Sequence, residues 1–413
     1  MSAADTGFMI LCAAFVLFMT PGLAFFYGGL GRRKNVANNI MTSFFIIGVA
    51  IVLWFVVGFS LTFGKDHGGI IGSLQYVMMN GVEIGVGPYA TTIPFLVFAM
   101  FQMMFAIITP ALITGAVAGR MRFKALFFFI VLWTFVVYYP IAHMVWGDGG
   151  FLAAIGSIDF AGGNVVHISS GVSGLVLALL LGKRQGYEQV SYRVHNIPLV
   201  CIGAALLLFG WFGFNAGSAL AANELAAHAF ATTAVSAAAA ELSWMAMDVI
   251  TDGRPTLVGA ATGLVIGLVA ITPGCGFVPL WAALVIGLTA SPICFLAVSH
   301  LKHRFGYDDA LDAFGCHGIG GIWGGICTGI FASQAVNPAI RWNGLIYGET
   351  GLFMAQVISI VVTIALAVVG TLVCAGIVKL ICPLRVSEKD ERIGLDITQH
   401  GERAYPSFTG LDD

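Results

Sequence analysis

Long apolar stretches recur along the whole chain, and they limit what it can fold into. A membrane-spanning helix needs about 20 mostly apolar residues, and eleven stretches of the sequence fit or approach that length. Hydrophobic residues make up 58% of the chain and charged residues only 10%, whereas charged residues are about a quarter of a soluble domain. The sequence therefore predicts an all-α polytopic membrane protein, and nothing in it indicates a nucleic-acid partner.

The first predicted helix is expected to stay in the mature protein. A signal peptide begins with basic residues, but no Lys or Arg precedes Arg32. The order of apolar and basic residues instead favours an uncleaved helix with its N-terminus outside. The eleven predicted helices lie at 7–30, 38–64, 93–119, 124–144, 163–182, 196–218, 225–250, 257–274, 278–300, 312–332 and 350–382.

Basic residues give an independent prediction of orientation. With the N-terminus outside and the tail inside, 17 of the 19 Lys and Arg residues, Arg193 among them, fall in inside segments. Only Lys65 and Arg341 fall outside, which follows the positive-inside rule. Helices 1–5 and 6–10 then form two halves of opposite orientation, an arrangement common in transporters. We predict a transmembrane domain over 1–382 and a cytoplasmic tail over 383–413.

A repeated pattern of Asp, His and Gly lies on the last helix of each half. Asp159 precedes His167 by eight residues in DFAGGNVVHISSG. Asp309 precedes His317 by the same interval in DALDAFGCHGIGG, and Gly follows each His at +4 and +7. The matching spacing indicates a duplicated unit and predicts that the two histidines face one another near the bilayer midplane.

The histidine pair has two interpretations. Each ring could be a buried histidine bonded to a backbone carbonyl, although ionisable groups inside membranes are usually functional. Facing imidazoles could instead share one N–H···N bond and leave ring nitrogens for a passing ligand. Such a pair would titrate as a coupled unit and would suit a small polar neutral ligand or a proton.

Acidic and aromatic residues supply further candidates. Asp309 is expected to cap its helix on dipole grounds, whereas Asp159 could cap its helix or bias the local field towards cations. Phe101 and Phe105 lie four residues apart, on one face of helix 3. Trp146 and the segment WFGFNAGSA at 211–219 are expected at the outer surface, either as interfacial anchors or as a cation-binding vestibule.

Other kinds of site are not indicated. The eight cysteines form no CxxC pair and mostly lie in apolar stretches, so neither a disulfide framework nor a metal site is predicted. No cofactor is expected. An intramembrane enzyme is also disfavoured, because no nucleophile lies at useful spacing from a base.

Five long motifs closely resemble the ammonium transporter family (Amt/Mep/Rh), in its bacterial Amt branch. They are PGLAFFYGGLGRRKNV, DFAGGNVVHISSG, WFGFNAGSA, DDALDAFGCHG and GLDITQHGERAY, in that order along the chain. The resemblance implies a homotrimer in the cytoplasmic membrane, with eleven helices and one pore in each protomer. It also implies an ammonium or ammonia substrate.

The resemblance further implies residue roles. The tail segment 394–405 would couple protomers and meet a PII-type regulatory protein, and lipid surrounds the trimer. The implied roles are a twin-histidine pore (His167, His317), a gate (Phe105, Phe214), an ammonium recruitment site (Trp146, Phe105, Ser218, beside Phe101) and a structural and electrostatic carboxylate (Asp159).

Three positions depart from the family pattern. Gly119 replaces an acidic residue before Arg120, so an ion pair expected there should be absent. Cys316 replaces a larger apolar residue before the second histidine, and Asp148 adds a carboxylate near the outer mouth. We expect electrogenic ammonium transport. The alternatives are a neutral ammonia channel of the Rh kind and an ammonium sensor that signals through its tail.

Overall fold

The computed structural model describes residues 1–189 and 194–405. In these ranges, nine helices are long and apolar enough to cross a membrane, which fits a multi-pass membrane protein. We number the helices in chain order as Ala3–Leu30 (α1), Arg33–Phe63 (α2), Phe95–Val117 (α3), Phe123–Ala154 (α4), Gly163–Leu181 (α5), Ile197–Gly217 (α6), Glu224–Asp252 (α7), Leu257–Ile271 (α8), Leu280–Phe305 (α9), the π-helical turn Phe314–Ile319 with Gly320–Phe331 (α10), and Gly351–Ile381 (α11).

Two of the predicted spans are shorter than a typical membrane helix. Helix α8 has 15 residues, and the α-helical part of α10 has 12 residues after its π-helical turn. A count of eleven membrane crossings therefore stays a prediction. Arg193, which was assigned to an inside loop, and the tail residues 406–413 lie outside the described residues.

Two short hairpins between α2 and α3 were not predicted from the sequence. Strand β1 (Asp66–His67) pairs antiparallel with β2 (Ile71–Gly72). Strand β3 (Val86–Gly87) pairs antiparallel with β4 (Ala90–Pro94). They escape sequence analysis because strands of two to five residues carry almost no periodic signal.

The loops with most basic residues meet the tail at one end of the helices. Lys34 donates hydrogen bonds to the carbonyl oxygens of Glu391 and Arg392, at 2.7 and 2.6 Å. The Arg385 guanidinium lies 2.7 Å from the Glu391 carboxylate, and the Arg122 amide donates to the carbonyl of Leu384. These contacts agree with the prediction that these loops and the tail share one side of the membrane.

The N-terminus lies with the loops of the other end. The Ser2 amide donates to the carbonyl of Thr92, which precedes α3. The Asp5 carboxylate accepts a hydrogen bond from the amide of Ala222, between α6 and α7. The N-terminus and the connections α2–α3 and α6–α7 therefore lie together at one end of the helices.

Glycines bring α5 and α10 into backbone contact where the histidines lie. A Cβ atom added at Gly171 would be 2.2 Å from the backbone nitrogen of Gly318. One added at Gly321 would be 3.0 Å from the Cβ atom of His167. Small residues allow membrane helices to approach this closely, so the glycines of the repeat set the distance between the histidine-bearing turns.

Gly321, Gly325 and Gly329 lie four residues apart along α10 and form a close-packing surface that contacts two neighbouring helices. Gly321 lies against α5, as described above. Gly325 and Gly329 lie against Ile360 and Phe353 of α11, where an added Cβ atom would be 3.0 and 3.1 Å away. Helix α10 is therefore held tightly between α5 and α11.

We expect Gly171→Ala to destabilise the protein. The new methyl group would press on the Gly318 backbone, which cannot move aside as a side chain can, and overpacking of this kind costs about 1–3 kcal/mol. Gly376→Ala on α11 is the matched control, because an added Cβ atom there meets nothing within 4 Å. Thermal unfolding in detergent should show a lower Tm for the first variant only, and equal Tm values would contradict this account of the crossing.

Candidate functional site

The two predicted histidines lie on equivalent local structures. His167 is in the π-helical turn Gly163–Ile168, and His317 is in the π-helical turn Phe314–Ile319. Their rings are 5.4 Å apart between centroids, with an angle of 18° between planes, and both residues are buried. This confirms that the histidines face each other. Single π-helical turns within α-helices are frequent at functional sites.

The hydrogen bond predicted between the two rings is wrong. Within the described residues, neither ring nitrogen of His167 has a hydrogen-bond partner, and Nδ1 of His317 has none either. The rings are stacked, so their nitrogens do not point at each other. His167 is therefore not a buried histidine bonded to a carbonyl. A buried polar atom without a partner costs about 1–3 kcal/mol, so these nitrogens are suited to exchange hydrogen bonds with a small ligand.

Asp159 organises the turn that carries His167. Its buried carboxylate accepts four backbone N–H bonds, from Gly162 at 2.8 Å, Gly163 at 2.6 Å, Asn164 at 2.7 Å and Val165 at 3.4 Å. A helix end leaves its first N–H groups without partners inside the helix, and here one side chain satisfies them. Capping is thus the observed role, while its effect on the field at the pore stays a prediction.

Asp309 occupies the equivalent position in the second half. Its carboxylate accepts hydrogen bonds from the amides of Ala313 at 3.1 Å and Phe314 at 2.7 Å. The capping role predicted for Asp309 is confirmed. The Asp and His spacing therefore repeats because each carboxylate caps the turn that presents a histidine.

A continuous row of rings leads from a surface cavity to the histidines. The ring of Phe105 is 5.6 Å from that of Trp146 and 4.5 Å from that of Phe214, between centroids. Phe214 is in turn 6.1 Å from His167. Phe105 and Phe214 are both fully buried, and they lie between Trp146 and His167 in this row.

We call the cavity beyond Phe105 the outer vestibule. Its volume is about 220 Å³, and the predicted residues Trp146, Phe105 and Ser218 all line it. Phe101 does not: it is buried and lies behind Phe105 in an edge contact of 5.1 Å. The Trp146 indole N–H donates to the carbonyl of Asp159 at 2.9 Å, which ties the vestibule wall to the cap described above.

Sequence analysis missed several residues of this site. Tyr89 and Phe160 line the vestibule from loops, where no pattern marks them. Gln102 also lines it and could have been noticed, as a polar residue between two aromatic positions of α3. Trp211 is not an interfacial anchor, because it is buried and stacks on His167 at 5.4 Å.

A second, larger cavity opens at the end where the basic loops lie. Its volume is about 480 Å³, and Cys316, which precedes His317, lines it together with Lys302 and Asp312. The Lys302 ammonium lies 2.6 Å from the Asp312 carboxylate. The vestibule, the closed aromatic pair, the histidines and this cavity therefore follow one another in that order.

Arg120 shows the consequence of Gly119. Within the described residues, no carboxylate pairs with the buried Arg120 side chain, which instead donates to the carbonyl of Asp308. Burial lowers the pKa of Arg120 to about 10. Burial alone would raise the pKa of Asp308, but hydrogen bonds and charge from Arg184 lower it.

We expect Asp159→Asn to destabilise the protein. An amide can accept hydrogen bonds through one oxygen only, so about half of the four buried N–H groups would lose their acceptor at about 1–3 kcal/mol each. Asp148→Asn is the matched control, because Asp148 is exposed. A Tm that falls in detergent for Asp159→Asn but not for Asp148→Asn is the expected result. Unchanged stability in both would mean that the carboxylate is not needed as a cap.

Comparisons with known proteins agree with these features. The model of the ammonium transporter family matches residues 7–405. An ammonium transporter of Bacillus subtilis is 49% identical over 405 residues, which cover 98% of this chain and 99% of that protein. The crystal structure of Saccharomyces cerevisiae Mep2 aligns with a TM-score of 0.84 and 36% identity, over 91% of this chain and 85% of that one. This chain therefore belongs to the ammonium transporter family.

Proposed function

We propose that the protein carries ammonium across the cytoplasmic membrane and passes it through the pore as neutral ammonia. The observation that carries the proposal is the order of the site. An aromatic vestibule leads to a closed ring pair, then to two stacked histidines with unpartnered nitrogens, and then to a cavity at the opposite end. The names of the relatives supply the substrate.

External ammonium is gathered in the outer vestibule. The rings of Trp146 and Phe105 attract a small cation by about 0.5–2 kcal/mol. Ser218 already donates its hydroxyl hydrogen to the carbonyl of Phe214 at 2.9 Å, so its oxygen is left to accept a hydrogen bond from ammonium. This combination replaces part of the hydration shell, and K⁺ cannot donate the hydrogen bond.

The ring pair Phe105 and Phe214 is the gate, and it admits a dehydrated species only. A charged ammonium beyond it would lie in apolar surroundings at a high cost, which loss of a proton largely removes. His167 and His317 then exchange hydrogen bonds with ammonia, since a neutral imidazole has one donor and one acceptor nitrogen. If the rings also relay the proton, transport is electrogenic.

We also propose the assembly that membership of the ammonium transporter family implies. Eleven helices cross the membrane with the N-terminus outside and the tail inside. Helices α1–α5 and α6–α10 are inverted repeats. The capped π-helical turns of α5 and α10 support this duplication. Three protomers form a trimer, each with its own pore.

We expect an ammonium pulse to produce a transient current from proteoliposomes on a solid-supported membrane. K⁺ should produce none in the wild type. In the double variant His167→Glu/His317→Glu, a carboxylate pair can hold a bare cation, so discrimination against K⁺ should weaken. His300→Glu on α9 is the matched control, because His300 is exposed.

The other possible results of the current and pH measurements distinguish an electrogenic transporter from a neutral channel and from a sensor. Unchanged selectivity in the double variant would contradict the role of the histidines. No current, together with ammonia-dependent pH changes faster than in empty vesicles, would mean a neutral ammonia channel of the Rh kind. Neither current nor pH change would favour an ammonium sensor.

We further propose that the tail is the regulatory segment and that a PII-type protein docks on it. The Asp396 carboxylate accepts a hydrogen bond from the Asn38 amide at 2.8 Å, and the Leu395 amide donates to the side chain of Asn35 at 2.9 Å. These contacts tie the tail to the start of α2. A partner that moves the tail would therefore act on the helices.

Deletion of residues 394–413 should abolish capture of the full trimer by an immobilised PII-type protein. The ammonium current of the deleted protein is measured in parallel, which shows whether the membrane domain remains intact. Capture that is unaffected by the deletion would rule out the tail as the docking element.

A further inference from the structure

The last membrane helix carries three buried polar side chains on one face. Gln356, Ser359 and Thr363 follow one another at intervals of three and four residues along α11, and all three are buried. Residues at this spacing lie on the same side of a helix. A polar side chain buried in a membrane bundle is costly unless a neighbouring helix supplies a hydrogen-bond partner. The partners of these three side chains therefore show what this face of α11 holds in place.

Two of the three side chains hold the turn that carries His167. Asn164 is buried in the π-helical turn Gly163–Ile168, and its Nδ2 atom donates to the hydroxyl oxygen of Ser359 at 3.0 Å. The Thr363 hydroxyl is shared between Oδ1 of Asn164 at 3.4 Å and the carbonyl oxygen of Ser359 at 2.8 Å. Both ends of the Asn164 amide therefore meet α11. We call Asn164, Ser359 and Thr363 the α11 clamp.

The third side chain, Gln356, holds the segment before this turn. Its Oε1 atom accepts hydrogen bonds from the Ser157 hydroxyl at 2.7 Å and from the Ile158 amide at 2.9 Å, next to Asp159. Its Nε2 atom donates to the carbonyl oxygen of Gly325 on α10 at 3.5 Å. One face of α11 therefore binds both helices that carry the pore histidines.

The α11 clamp adds a restraint that the Asp159 cap does not provide. The cap binds backbone N–H groups, including that of Asn164 at 2.7 Å, and so fixes where the turn begins. The Asn164 side chain adds an attachment to a second helix, and this attachment opposes rotation of the turn about its own axis. His167 follows Asn164 by three residues in the same turn. The direction of the His167 ring therefore depends on that rotation.

The equivalent position in the second half carries an apolar residue. Phe314 follows Asp309 by five residues, as Asn164 follows Asp159. The Phe314 side chain packs in an apolar cluster that includes Ile360 of α11. The contact between α11 and the capped turn is therefore polar on α5 and apolar on α10, and the hydrogen-bonded restraint acts on the turn of His167.

We propose that the three residues of the α11 clamp are positioning residues for His167, which keep its ring stacked on Trp211 and His317 at 5.4 Å from each. They do not touch the ammonia. Passage through the pore depends on them, whereas recruitment does not, because none of the three lines the outer vestibule. The proposal rests on the proposed function only for its transport readout, since the position of the ring can be measured without ammonium.

The first experiment is NMR of histidine-labelled full-length protein in lipid bilayers, at one pH and without ammonium. The ring currents of Trp211 and His317 shift the ring signals of His167, and His167→Gln assigns those signals by removing them. The double variant Ser359→Ala/Thr363→Val removes both partners of Asn164, so the His167 signals should move.

Thr371→Val is the matched control for the NMR measurement. Thr371 is a buried residue of the same helix, and its hydroxyl oxygen has no hydrogen-bond partner within the described residues. Its removal should leave the His167 signals in place. Unmoved His167 signals in the double variant would overturn the proposal, whatever the protein transports. Ser359→Ala alone carries the same prediction if the double variant does not fold.

The second experiment measures ammonium currents from equal amounts of each protein in proteoliposomes. The maximal current of the double variant should fall about fivefold, because the hydrogen bonds that orient the ring are lost. The half-saturation concentration should stay as in the wild type. Thr363→Ser keeps the hydroxyl and should keep the current, as should Thr371→Val. An unchanged maximal current in the double variant, or a raised half-saturation concentration, would overturn the positioning role.

Discussion

The site depends on the rule that a polar backbone group buried away from water must find a partner within the protein. The π-helical turns of α5 and α10 each begin with free N–H groups, and one buried carboxylate satisfies those of each turn. Asp159 accepts four such bonds and Asp309 accepts two. These caps therefore fix the positions of the turns that carry both histidines.

The second requirement is close approach between helices, because two capped turns in separate places would not bring the histidines together. Gly171 and Gly318 let the backbones of α5 and α10 meet without an intervening side chain. The imidazoles are then held at 5.4 Å. Both ring nitrogens of His167 and Nδ1 of His317 lack a hydrogen-bond partner among the described residues, and they are the atoms that we propose to bind the passing ligand.

The close pairs of acidic and basic side chains among the described residues are found at the two ends of the bundle, where water can partly solvate them. His143 and Asp66 join a helix end to a hairpin beside the outer vestibule. Lys302 and Asp312 lie at the opposite cavity. Ion pairs in apolar surroundings pay a large desolvation penalty, and none of the ion pairs formed by the described residues includes His167 or His317.

The sequence by itself determined the helices, the duplicated Asp and His spacing, and the residues Trp146, Phe105 and Ser218, because length, periodicity and long motifs are properties of single segments. Only the tertiary structure decided which groups meet. It placed Trp211 on His167, brought Tyr89 and Phe160 into the vestibule from loops, and left the rings stacked without a shared hydrogen bond. Such contacts depend on the relative rotation and distance of helices far apart in the chain, and local patterns do not encode these quantities.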